Sequence, residues 1–186
     1  MSTSLLKKCF AQVVMCLALS TSMVAFADDL KPEQSTKLDA LIKTAEGWAK
    51  DPAIVAAIKD YNTTPRASTK SMTQDQWAKL TVMDPIVKEI RGNEAAKKLA
   101  SYKSDQVSEA FLSGADGTKV AFIAKTSNWS HKGKPKHDEP MAGKTWKGKV
   151  EKDDSTGLQA IQFSVPVLDG GKAIGSLVIG VSVAKL

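Results

Sequence analysis

The sequence predicts an α+β domain in which a long N-terminal helix covers one face of an antiparallel sheet. Three observations carry this reading. Apolar residues recur at helical spacing between residues 30 and 102, period-2 alternation takes over from 107 to 184, and Gly/Asp-rich turns at 114–117 and 169–172 each join two alternating runs. Two hairpins imply antiparallel pairing.

The first helix follows from Leu38, Leu41, Ile42, Ala45, Trp48 and Ala49, a single stripe flanked by Lys37, Asp39, Lys43 and Glu46. Asp51-Pro52 then offers an N-cap and a first-turn proline ahead of Ile54, Val55 and Ile58, which predicts a kink in the helix in place of an end. Residues 62–73, rich in Thr, Ser and Pro, read as a connector. Asp84-Pro85 repeats the start signal before Ile86, Val87 and Ile90, and Arg91-Gly92 closes that short helix. Asn93 is placed to cap another, carrying Ala95, Ala96, Leu99 and Tyr102. The echo of DPAIVAAIK in DPIVKEIR is a shared helix-start device and not a repeat architecture.

Strands are predicted at 107–113 and 118–125 around Gly114-Ala115-Asp116-Gly117, and a short one at 147–150. Asp153-Asp154-Ser155-Thr156-Gly157 is turn chemistry. Ile161, Phe163, Val165 and Val167 then alternate, Asp169-Gly170-Gly171-Lys172 reverses the chain, and Leu177, Ile179, Val181 and Val183 alternate in the last strand.

Residues 1–27 read as an export signal: Lys7 and Lys8, an apolar run from Phe10 to Leu19, and Ala25-Phe26-Ala27 as a cleavage site. That run is too short for a membrane span of about 20 residues, and no later segment qualifies. The mature chain is expected to begin at Asp28, to form one domain over 28–186, and to lie in the periplasm or outside the cell. Both cysteines, Cys9 and Cys16, fall in the signal, which excludes disulfides and thiolate chemistry from the mature chain. Loss of Lys7 and Lys8 lowers the formal charge of +6 by two, a modest surplus compatible with anionic partners.

The stretch KTSNWSHKGKPKHDEPMAGKTW, residues 125–146, gathers both histidines and two of the four tryptophans in a Gly/Pro-punctuated loop without helical or strand period. A surface loop with such contents is a binding lid or a locally collapsed Ω-loop. Trp129 and Trp146 have broad faces for a small ligand. Lys132 and Lys144 could neutralise a carboxylate, with Ser130 or a histidine adding a hydrogen bond. Lys134 and Lys136, flanking Pro135, read as solvated charges. His131 and His137 do not form a recognised zinc or copper spacing, so no metal and no cofactor are expected. A pH-sensitive hydrogen bond from one imidazole is the expected role.

No Gly-x-Ser-x-Gly elbow, activated nucleophile or phosphate-cradling loop is present, so no enzyme is expected. Lysines and tryptophans interleave over 125–152, but Asp138, Glu139, Glu151, Asp153 and Asp154 interrupt the patch, which argues against nucleic acid.

Three phrases, AKDPAIVAAI (49–58), VSEAFLSGADGTKVAF (107–122) and DSTGLQAIQFSVPVLDGGKAIGSLVIGVSV (154–183), together resemble the extracellular PAS-like sensor domains called Cache or PDC domains. The resemblance implies a five-stranded antiparallel sheet backed by the long helix. It also implies a ligand between the sheet and the segment joining the second and third strands, here the 125–146 loop. Relatives commonly sit between membrane helices of a receptor or kinase, whereas this chain reads as a free-standing exported form without an output domain. The arginine and aromatic pattern by which many relatives hold amino acids is not evident. The resulting expectation is a sensor-type domain binding a small anionic metabolite through Trp129, His131, Lys132, His137, Lys144 and Trp146. The alternatives are a docking module for a separate membrane sensor or an envelope component and, behind it, a metal-binding protein.

Overall fold

The computed structural model describes residues 30–152 and 157–186; the expected export signal and most of the 153–157 turn lie outside the described residues. Helix α1 (Pro32–Trp48) starts with proline in its first turn, and the Gln34 side chain accepts from the Lys31 N–H at 3.0 Å. It ends at Trp48 instead of kinking through the next segment. Helix α2 (Pro52–Thr63) starts afresh with Asp51 accepting from the Ala53 N–H at 2.9 Å. The corner is held by Trp48 stacked on Tyr102 at 4.6 Å and by Asp51, which bonds Lys98 at 2.8 Å and the Tyr102 hydroxyl at 3.1 Å.

Helix α3 (Gln74–Lys79) follows the expected connector and carries the buried Trp77; a Thr73/Gln76 capping box starts it. Helix α4 (Pro85–Gly92) begins at Asp84-Pro85, yet the Asp84 carboxylate accepts from Thr81 and not from the helix. Helix α5 (Glu94–Ser101) is capped by Asn93, which accepts from the Ala96 N–H at 2.8 Å.

Strands β1 (Val107–Gly114), β2 (Lys119–Phe122), β3 (Trp146–Lys152), β4 (Gln159–Asp169) and β5 (Lys172–Ser182) form one antiparallel sheet in the order β2-β1-β5-β4-β3. The last strand is therefore central, between β1 and β4. This is the α+β architecture, with the long N-terminal helix on a five-stranded antiparallel sheet, that the Cache resemblance implies. Among the described residues, no helix is long and apolar enough to cross a membrane.

Alternation assigns the two faces. Leu112, Phe163, Val165, Leu177, Ile179 and Val181 pack with Leu38, Ile54, Ile58 and Leu99 into the main core. Opposite residues in the ladder share a face, so Phe111, Ser113, Lys119, Phe122, Gln162, Ser164, Ser176 and Val178 occupy the other side. That side is covered by α3, α4 and the connection from β2 to β3. The connection differs from its sequence expectation, because it contains a helix, α6 (Pro135–Met141), lying against β3, β4 and β5.

Candidate functional site

The covered face divides into an apolar half and a polar half. In the apolar half Trp77, Trp129, Phe111, Phe122 and Val178 form a second core, with Trp77 and Trp129 centroids 5.0 Å apart. Trp77 donates its indole N–H to the Thr126 carbonyl at 2.7 Å, and the Trp129 N–H donates to the Gln74 side chain at 2.9 Å, which pins the start of the connection. Trp129 is thus packed inside the fold, only 4% exposed.

The polar half gathers Lys119, His131, His137, Ser113, Ser164 and Ser176, all buried. Lys119 Nζ lies 2.7 Å from His131 Nδ1, 3.5 Å from Ser113 Oγ and 4.5 Å from the Phe111 ring centroid. The His131 ring stacks on Phe111 at 5.0 Å, and the His131 backbone N–H donates to the Gly117 carbonyl at 2.9 Å. Gly117 has φ of +81°, and a Cβ there would stand 2.5 Å from the Lys132 nitrogen, so the hairpin turn needs glycine for this approach. His137, on α6, sets Nδ1 2.9 Å from Ser176 Oγ and also bonds the Ala115 backbone. Burial pushes the Lys119 ammonium down to about 7, and burial followed by the charge of Lys119 holds His131 well below the usual imidazole range. His137 is lowered too, chiefly by burial. Ser164 Oγ is buried with no hydrogen-bond partner among the described residues.

Beyond this cluster the face opens. Gln162 donates to Glu109 at 2.6 Å and accepts from Lys136 of α6. The half-buried Lys136 lies 5.9 Å from the Trp146 ring centroid, and desolvation lowers its pKa. Lys136, Trp146, Gly148, Glu151 and Gln162 line a cleft of about 260 Å³. A neighbouring cleft of about 470 Å³, lined by Glu109, Lys125, Thr126, Leu158 and Ser182, meets it at Ala160. The arrangement combines a partly desolvated cation, an amide, a carboxylate and an indole wall, a set suited to orienting a small polar molecule.

Of the residues singled out in the sequence, His131 and His137 come together under the connection and Trp146 reaches the cleft. Trp129 belongs to the second core. Lys132 and Lys144 lie on the exposed surface, Lys144 3.8 Å from Glu139. Lys136, read as a solvated charge, is instead half-buried against Gln162, because α6 lays it on the sheet. Sequence reasoning also missed Lys119, Glu109 and Gln162. The available signal was the run of Gln162, Ser164, Ser176 and Ser182 on the non-core positions of β4 and β5, a pattern normally assigned to solvent.

No family model matches the chain, and no curated protein matches it. Several solved structures are similar. The sensor domain of the V. cholerae histidine kinase DctB is 13% identical with a TM-score of 0.44, over 82% of this chain and 54% of that one. The ligand-binding domain of the Pseudomonas aeruginosa amino acid chemoreceptor PctC, in complex with GABA, is 16% identical with a TM-score of 0.42, over 80% and 56%. The sensory domain of the Campylobacter jejuni chemoreceptor CcmL, with isoleucine bound, is 16% identical with a TM-score of 0.40, over 83% and 64%. The chain spans between 54% and 64% of the length of these three.

Proposed function

We propose that the protein is an exported sensor-type domain that binds a small anionic metabolite on the α6-covered face of its sheet. The observation that carries this reading is the placement of Lys136. A half-buried ammonium, held by Gln162 and bordered by Trp146, stands at the floor of a cleft wide enough for a small organic acid. An incoming carboxylate replaces the neutral Gln162 oxygen as the acceptor for Lys136, a charge-assisted bond stronger than the one it displaces. Gln162 Nε2 lies nearby as a donor, and the Trp146 indole covers an apolar body. His131 and His137 act from below by fixing the connection that carries Lys136. They are positioning residues in this reading. Trp129 contributes through packing, and Lys132 and Lys144 contribute positive potential at the rim.

The test is a thermal-shift screen of the mature protein against organic acids, amino acids and purines, followed by calorimetric titration of any hit into the wild type and Lys136→Met. Loss of a charge-assisted bond should weaken an acidic ligand by about 1.5–3 kcal/mol while the unliganded melting temperature changes little. Unchanged affinity in Lys136→Met would remove Lys136 from the site.

A further inference from the structure

Three bases are buried together between the sheet and the connection, and among the described residues none of them makes an ion pair with a carboxylate. Lys119 and His131 share one short contact, in which an ammonium or amine donates to a neutral imidazole Nδ1. A second proton on that pair would set two positive charges 2.7 Å apart in a buried site. His137 ties α6 to Ser176 through its own Nδ1. All three therefore favour the closed connection while the imidazoles remain neutral.

The surrounding charges do not offset added protons at contact distance. From β1 and its turn come Glu109 and Asp116, which act on Lys119 only across space. From α6 and the residues leading into it come Lys134 and Lys136, which add positive charge, and Asp138 beside His137. From β3, Glu151 faces Lys136. On this face β4 and β5 supply the neutral Gln162, Ser164 and Ser176, and the Arg66 guanidinium adds positive charge at the Lys119 carbonyl, 3.3 Å away.

We propose that Lys119, His131 and His137 form an acid-operated latch, so that mild acidification releases residues 131–143 from the sheet and withdraws Lys136 from the cleft. The consequence for binding rests on the reading of that cleft as the ligand site; the latch itself does not. The sign follows from linkage. Each histidine binds a proton more readily when released to water than when packed in place, so protons favour the open state as pH falls through the free imidazole range. With a free pKa of about 6.5, exposure of His131 on opening multiplies the open population roughly tenfold between about pH 8 and about pH 5.5, and His137 acts in the same direction.

The experiment needs no ligand. Hydrogen exchange of the mature protein is followed at both pH values, with rates corrected for intrinsic exchange. Opening of 131–143 should increase at least tenfold relative to α1, and the rise should shrink to the part due to Lys119 in a His131→Asn/His137→Asn double variant, whose amides keep a polar atom near each Nδ1 without titrating. The two histidines are the only ones in the chain, so their ring C–H signals can be followed by proton NMR in the wild type even if the double variant fails to fold. They should not titrate near 6.5 in the closed state. Equal opening at both pH values, an equal rise in the folded double variant, or imidazoles that titrate near 6.5 while 131–143 stays protected would each overturn the latch. A protein that opens in acid but binds no acid in the screen keeps the latch and loses the ligand reading.

Discussion

The two faces of one sheet are built from the same strands and carry opposite chemistry. On the helix-covered face Leu112, Phe163, Val165, Leu177 and Ile179 have no exposure and belong to the main apolar core. On the α6-covered face the alternate positions hold Ser113, Lys119, Ser164 and Ser176, also without exposure, and among the described residues all but Ser164 find hydrogen-bond partners. Burying such groups gains little stability in itself, since each hydrogen bond replaces one to water. The first face holds the domain together. The second tolerates buried polarity because the first carries the fold.

The largest effect expected to separate the faces is on stability. Phe163→Ala or Leu177→Ala should cost about 2–5 kcal/mol in denaturant unfolding, through lost burial and the cavity left behind. A loss below about 1 kcal/mol at both positions would mean that the core does not rest on this face.

On the opposite face, Lys119→Met should leave the unfolding free energy near neutral pH unchanged or raised, because an apolar chain of similar length no longer requires the amine to shed its charge. Its sharper signature is in alkaline solution. Burial lowers the Lys119 pKa to about 7, so between there and the unfolded value near 10.5 the unfolded chain binds more protons and wild-type stability rises with pH. Lys119→Met should show a smaller rise in melts between about pH 7 and about pH 10. An identical rise in both proteins would show that Lys119 is charged in the folded state.

Much of the fold could be read in the sequence because its signals are local. Asp51-Pro52 and Asn93 do start helices, and the Gly-marked turns at 117 and 170–171 take the positive φ that favours glycine. The repeated Asp84-Pro85 is instructive: the helix starts there although Asp84 turns to Thr81, so the proline and the following apolar residues suffice. Helix α6 escaped notice because Gly133, Pro135, Pro140 and Gly143 punctuate eleven residues, and such punctuation conceals a seven-residue helix. Helix α3 was more accessible, since Thr73 and Gln76 spell a capping box before Trp77.

The candidate site was harder to read. Lys136 is surrounded by lysines and prolines in sequence, and only the placement of α6 against β4 and β5 brings it to Gln162. Lys119 occupies a four-residue strand whose inward side depends on a register shift at Leu112/Ser113. The two tryptophans looked equivalent in the loop. Tertiary contacts send Trp129 to the second core and Trp146 to the cleft.

The central claim, that the α6-covered face is the recognition face, is tested most directly by mapping where a bound molecule slows hydrogen exchange. The protein is compared with and without the tightest organic acid from the screen, near neutral pH. Added protection is expected only at 124–127, 136–148 and 159–164, with α1 and α2 unchanged. Protection centred on α1 and α2, or no acid in the screen that protects the α6-covered face, would contradict it.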